Sequence, residues 1–139
     1  MIRVGDSAWK GSCLCKAVTY TLDEELSELV FCHCSFCRKA TASAYTVNAK
    51  VSSKKLVLHG KENLVSYSSS PGKQRYYCQN CHTQIFTVQE NIPEVCALKL
   101  GTIDKCDQDL QTVPKRHIFR IQPFLGCLIN KSKKIEKIN

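Results

Sequence analysis

The sequence holds no apolar run approaching the roughly eighteen residues that a membrane-spanning helix requires. Its opening stretch, MIRVGDSAWKGSC, carries one early basic residue, Arg3, with no apolar core behind it, so the expectation is a chain without an export signal. Acidic residues are scarce, 12 against 20 lysines and arginines. Glycine and proline, at 6 and 4, are too few for a fibrous or low-complexity chain. No internal repeat and no interdomain linker is visible. What these absences leave is one compact domain: 139 residues, 43% of them hydrophobic, suffice for a single core. The expected division is one domain over residues 1–127 and a basic tail over 128–139. The expected compartment is the cytoplasm, where thiols stay reduced.

Cysteine, by contrast, is abundant. Ten of them in a reducing compartment call for an explanation other than disulfides, and metal binding comes first. Metal binding also changes how the formal charge of +8 is read. Seven thiolates around two doubly charged ions lower that figure by seven and raise it by four, to about +5. Part of the remainder sits in the run KSKKIEK at residues 131–137, which reads as a solvated tail. Charge alone therefore does not point to nucleic acid.

Short apolar alternations broken by turn residues predict an all-β fold. Val18, Tyr20 and Leu22 fall on one face of a strand, with Thr19 and Thr21 opposite. Further strands are expected at 44–49, 55–59, 64–67, 74–78, 84–88, 95–100 and 117–121. Turns are expected at 58–61, 68–73 and 90–93. One short helix is expected at Cys37–Ser43, after a cysteine-rich loop.

Seven cysteines lie in three tight groups: Cys13 and Cys15; Cys32, Cys34 and Cys37; Cys78 and Cys81. A two-residue gap lets one turn present both sulfurs to a common ion. A one-residue gap does not do so on a regular strand, where side chains two apart stand about 7 Å from each other. The chain must therefore curl at Cys13–Cys15 and Cys32–Cys34, and Gly11 would ease the first bend. The simplest division is four plus three. Cys13, Cys15, Cys78 and Cys81 make a closed, structural four-thiolate site. Cys32, Cys34 and Cys37 make a three-thiolate site with one position left for water or substrate, the mark of a catalytic zinc. Other divisions stay open on spacing alone: disulfides, a single zinc beside a reactive cluster, an iron–sulfur centre, or His33 as a fourth ligand closing the second site. Cys96, Cys106 and Cys127 are isolated and read as core or surface residues. His59 and His82 have no partner by spacing, and His117 reads as a structural histidine.

GSCLCKAVTY, FCHCSFCRKATASAY, SYSSSPGKQRYYCQNC followed by IF, and VPKRHIF stand in an order that resembles the glutathione-dependent formaldehyde-activating enzyme family, which includes the centromere protein V group. The resemblance covers about residues 9–125. It implies an Mss4-like β-tent of three small antiparallel sheets held by zinc-thiolate sites, with two zinc ions. By position, Cys13, Cys15, Cys78 and Cys81 resemble the structural ligands, and Cys32, Cys34 and Cys37 the catalytic ones. The implied activity is S-(hydroxymethyl)glutathione synthase, a carbon–sulfur lyase joining glutathione and formaldehyde. Three glycines usual in the family are absent: Lys16 follows the first pair, Thr41-Ala42-Ser43 replaces TGS, and His82 follows the last pair. The usual later tryptophan is also absent, with Phe124-Leu125-Gly126 in that region.

Two function classes follow. In the first, an open zinc on Cys32, Cys34 and Cys37 handles a thiol such as glutathione and a small aldehyde, with Arg38, Lys39, Lys73 and Arg75 as candidates for the thiol's carboxylates. In the second, a non-catalytic zinc-stabilised binding module of the chaperone or chromatin type, His33 or a partner closes the site. Native mass spectrometry of freshly purified protein, with and without glutathione, should show two zinc ions per chain and a glutathione-bound species. A folded, metal-free protein, or cysteines oxidised in pairs, would refute this reading.

Overall fold

The structure is a computed structural model, and residues 9–119 of it are described. The predicted tail at 128–139, Cys127 and the Phe124–Gly126 region lie outside them. Eleven strands and one helix follow in order: β1 (Trp9–Ser12), β2 (Thr19–Leu22), β3 (Leu29–Cys32), α1 (Ser35–Thr41), β4 (Thr46–Ser52), β5 (Leu56–His59), β6 (Leu64–Ser70), β7 (Lys73–Cys78), β8 (Gln84–Gln89), β9 (Ile92–Lys99), β10 (Ile103–Lys105) and β11 (Lys115–Ile118). The all-β expectation holds. Hydrogen bonds join the strands into two sheets where the resemblance implies three, a small one in the order β10-β1-β2-β5 and a large one in the order β11-β3-β4-β9-β8-β7-β6. Among the described residues all pairings are antiparallel except β3 with β11, which run parallel.

That parallel pair is the sheet's one long-range surprise, and specific side chains fix it. Arg116 Nε donates to Glu28 Oε2 at 2.9 Å, and its Nη2 to Oε1 at 3.3 Å. The Gln108 amide bonds both the N–H and the C=O of Leu26, at 2.8 and 2.9 Å, standing in for a strand neighbour. Together they lead the segment after β10 back along β3, the long return that a parallel pair needs.

One buried cluster draws from both sheets. Val18, Tyr20 and Leu22 are 0, 1 and 0% exposed, as the alternation predicts, and pack with Trp9, Leu29, Ala49, Val51, Ile85 and Leu98. Strands β1, β3 and β10 escaped the sequence reading because none shows an apolar–polar alternation: Trp9-Lys10-Gly11-Ser12 and Ile103-Asp104-Lys105 carry one large apolar residue each, and Leu29-Val30-Phe31-Cys32 is a continuous apolar run. The helix lies two residues earlier than expected. Its N-cap is Cys34, whose sulfur accepts from the Cys37 N–H at 3.3 Å, so the cysteine loop is itself the helix start.

Gly11 serves a different purpose from the one expected. Its backbone is ordinary extended strand, but a Cβ there would overlap the Tyr20 ring and the Thr102 carbonyl. Tyr20 crosses over Gly11 to reach Thr102 Oγ1 at 2.7 Å, and Thr102 in turn donates to the Lys99 carbonyl at 2.8 Å. The absent side chain thus lets a core tyrosine fix the end of β9. Gly11→Ala should lower stability by about 2 kcal/mol, or roughly 8 °C in Tm, read by thermal denaturation. An unchanged Tm would show that the Tyr20 ring moves aside freely.

Candidate metal centres

The first cluster forms where two tight loops meet. Between β1 and β2 the chain turns back on itself, with Cys13 N–H donating to the Val18 carbonyl at 3.0 Å and Lys16 N–H to the Cys13 carbonyl at 3.1 Å. Between β7 and β8, Cys78 N–H donates to the Thr83 carbonyl at 3.0 Å and His82 N–H to the Cys78 carbonyl at 2.8 Å. The sulfurs of Cys13, Cys15, Cys78 and Cys81 all lie within 4.8 Å of one another. Cys13–Cys15 and Cys15–Cys78 are each 3.7 Å apart. A tetrahedral zinc about 2.3 Å from each sulfur would set neighbouring sulfurs about 3.8 Å apart, so the donor set fits. Backbone N–H groups of Val18, Asn80 and Cys15 aim at Cys13, Cys78 and Cys81 at 3.3, 3.4 and 3.5 Å, an arrangement that favours thiolates.

The second cluster is local. Cys32 ends β3, Cys34 caps α1 and Cys37 sits in the first turn of α1. Their sulfurs also lie within 4.8 Å of one another, with Cys32 and Cys34 3.5 Å apart. Without an ion, Cys32's thiol bonds to Cys37 and holds the latter down to about 4, helped by the Lys99 charge and the Thr46 hydroxyl; Cys32 itself is pushed up by the same contact. Of Cys32 and Cys37, the latter is the thiol readier to ionise.

Strand alternation builds the surroundings. Register pairs Cys32 with Thr46, Val30 with Asn48, Asn48 with Lys99, Thr87 with Ala97, and Arg75 with Thr87. One face of the large sheet therefore carries a polar row, and Thr46, Asn48, Arg75, Thr87 and Lys99 are all buried. Beside it a cavity of about 310 Å³ is lined by Cys32, Cys37, Asn48, Lys50, Lys73, Thr87, Lys99 and Arg116 among others, with no acidic side chain among the described residues that line it. Lys99 Nζ donates to Asn48 Oδ1 at 2.7 Å. Burial pulls its ammonium down to about 8, while the Cys37 charge pushes the other way. Arg75, 2% exposed, reaches Ser69 Oγ at 2.8 Å and Cys37 Sγ at 3.9 Å. Both cations offset thiolate charge.

Of the basic residues expected to meet substrate, Lys73 lines this cavity. Arg38 is buried on α1 and donates to the His33 carbonyl at 3.2 Å. Lys39 faces a separate, wider cleft between α1 and β6–β7 with Phe36, Tyr67 and Tyr77. His33 does not join the cysteines: its Nε2 meets His117 Nδ1 at 2.9 Å, and His117 stacks on Phe31. Cys96 is core, as expected. Lys99 and Asn48 escaped the sequence reading. A polar residue at every second position of Thr46-Val47-Asn48-Ala49-Lys50 was the available signal, because it marks a sheet face that is not apolar core.

The three absent family glycines gain a physical meaning. Lys16, Ala42 and His82 have φ of 70°, 54° and 66°, the left-handed region that glycine enters without strain. Ala42 is the left-handed cap of α1, the place where helices most often use glycine.

An all-β domain with two thiol clusters able to hold metal is the class these features define. A family model described as glutathione-dependent formaldehyde-activating enzyme matches residues 8–122, and the chain belongs to that family. An uncharacterized lyase of Schizosaccharomyces pombe (strain 972 / ATCC 24843) is 32% identical over 83 residues, 60% of this chain and 59% of that protein, so the match spans less than two thirds of the relative. A crystal structure of a Rhodobacter sphaeroides protein superposes with a TM-score of 0.59 at 26% identity, covering 76% of this chain and 98% of the other.

Ala42→Gly and His82→Gly should each raise stability, by up to about 1 kcal/mol, whereas His82→Val should lower it by a similar amount or more. Chemical denaturation of the three variants checks the sign; a stabilising valine would mean that residue 82 does not hold its left-handed conformation.

Proposed function

We propose that the chain is a zinc-dependent carbon–sulfur lyase of the S-(hydroxymethyl)glutathione synthase type, joining a thiol such as glutathione to a small aldehyde such as formaldehyde. In this reading it carries two zinc ions, one structural on Cys13, Cys15, Cys78 and Cys81, one catalytic on Cys32, Cys34 and Cys37, and works in the cytoplasm. The observation that carries the reading is the second cluster: among the described residues it has three sulfur donors and not four, beside a cavity whose charged lining is entirely cationic.

A zinc bound there would supply Lewis acidity, lowering the pKa of an incoming thiol or polarising a carbonyl oxygen. The rest falls to side chains. Cys32, Cys34 and Cys37 come from one strand end and one helix turn, so the strand and the helix together fix their relative positions. Three thiolates and an uncharged fourth ligand leave the site at about −1, and a substrate thiolate takes it to about −2; the buried Arg75 and Lys99 offset that charge. Lys50, exposed, and Lys73, half-buried, are placed to receive the carboxylates of an anionic thiol. Arg116 also lines the cavity, but its guanidinium is engaged by Glu28. At about 310 Å³ the cavity is near the lower end of the range for small-molecule sites, which suits a small aldehyde beside a thiol head.

The binding-module alternative requires a fourth ligand to close the second cluster. Among the described residues the histidine closest in sequence, His33, is turned to His117 instead. Replacing Cys37 by alanine should leave one zinc per chain by native mass spectrometry and abolish the catalysed part of thiol–aldehyde exchange followed by NMR. Exchange at the uncatalysed rate in both proteins would overturn the lyase reading.

A further inference from the structure

Lys99 is a buried charge whose placement goes beyond offsetting thiolate charge. It ends β9 at 6% exposure, directly across from Asn48 on β4. Among the described residues the ion pairs are Lys16–Asp104 and Arg116–Glu28, and Lys99 is in neither. An ammonium has three N–H donors. One goes to Asn48 Oδ1 at 2.7 Å, and Asn48 Nδ2 donates onward to Thr46 Oγ1 at 3.3 Å, which keeps the amide oxygen turned to the lysine. The Lys99 backbone is held in turn, its carbonyl bonded by Thr102. A proton donor is thus held in place on the wall of the cavity that also contains Cys32 and Cys37. Burying a charge is unfavourable, and the neutral Asn48 amide orients this one without cancelling it, so it stays available to negative charge that arises in the cavity.

Joining a thiol to an aldehyde creates such a use. As the sulfur electron pair forms the carbon–sulfur bond, the C=O π pair moves onto oxygen, and an alkoxide charge develops that the ground state lacks. We infer that Lys99 is the catalytic residue that receives this charge and completes the hydroxymethyl group by proton transfer from Nζ, with Asn48 as its positioning residue; the inference rests on the lyase reading above. The proton given to oxygen replaces the one the thiol lost on forming its thiolate, which returns to the neutral amine through solvent, so the sum is thiol plus aldehyde to hydroxymethyl thioether with no change of oxidation state. In the reverse direction the neutral amine takes the hydroxyl proton as the carbon–sulfur bond breaks. Arg75 does not serve: it is tied to Ser69 and directed at the Cys37 sulfur.

The test compares wild type, Lys99→Met and Lys99→Arg by exchange NMR, with zinc content and glutathione occupancy read on the same samples by native mass spectrometry. In Lys99→Met, kcat should fall about 100-fold while KM for the thiol and glutathione occupancy stay within about twofold, because the charge is met only in the transition state. Lys99→Arg, which keeps a charge but does not give up its proton, should recover part of the loss and remain at least about tenfold slow. Wild-type kcat in Lys99→Met, or a loss that follows zinc or glutathione occupancy, overturns the inference and leaves the lyase reading standing. If Lys99→Met does not fold, wild-type kcat in Lys99→Arg overturns proton transfer from Lys99. No acceleration by the wild type overturns the lyase reading and this inference with it.

Discussion

Cys13 and Cys15 meet Cys78 and Cys81 across some sixty residues of chain, and the rest of the architecture hangs on that meeting. The first pair lies between strands of the small sheet, the second at the end of β7 and in the turn that leads to β8 of the large one. Four sulfurs that converge on one point would therefore let a single ion tie together two sheets that share a core but no backbone ladder. A zinc held there would contribute on the order of 10 kcal/mol to folding. That is comparable with the entire net stability of an ordinary domain. Both loops present their sulfurs by turning sharply enough to force a residue into the left-handed region, and here those residues are Lys16 and His82.

The second cluster is placed by different means. Cys32, Cys34 and Cys37 need no distant partner, since a strand end runs directly into a helix cap. What makes this cluster more than a local metal knuckle is the sheet face beside it. Period-two alternation along β4, β9, β8 and β7 sends Ala49, Val51 and Leu98 into the core and Asn48, Lys99, Thr87 and Arg75 to the thiol side. Buried polar groups in such a row need hydrogen-bond partners, and Asn48, Ser69 and Thr46 supply them. The same alternation that builds the core thus builds the cavity wall.

The two cationic groups next to Cys37 divide the work electrostatically. Arg75 approaches the sulfur itself and compensates standing negative charge. Lys99 is held by a neutral amide, which orients the ammonium without neutralising it. A carboxylate in place of Asn48 would spend that charge permanently, as Glu28 spends that of Arg116.

Much of this was legible in the linear chain. The cysteine spacings predicted three local clusters, because two or three sulfurs within a few residues can reach a common ion with only local bending. Four plus three was the simplest division among those that spacing left open, and folding brings Cys13 and Cys15 to Cys78 and Cys81. The Val18, Tyr20 and Leu22 alternation predicted a buried strand face because side-chain direction in a strand is fixed by the backbone. Folding alone decided which way His33 turns, that β11 lies parallel to β3, that Gly11 makes room for Tyr20, and that Lys99 stands opposite Asn48. Each of these depends on register between segments tens of residues apart, and register is set by three-dimensional packing, which spacing along a chain does not encode.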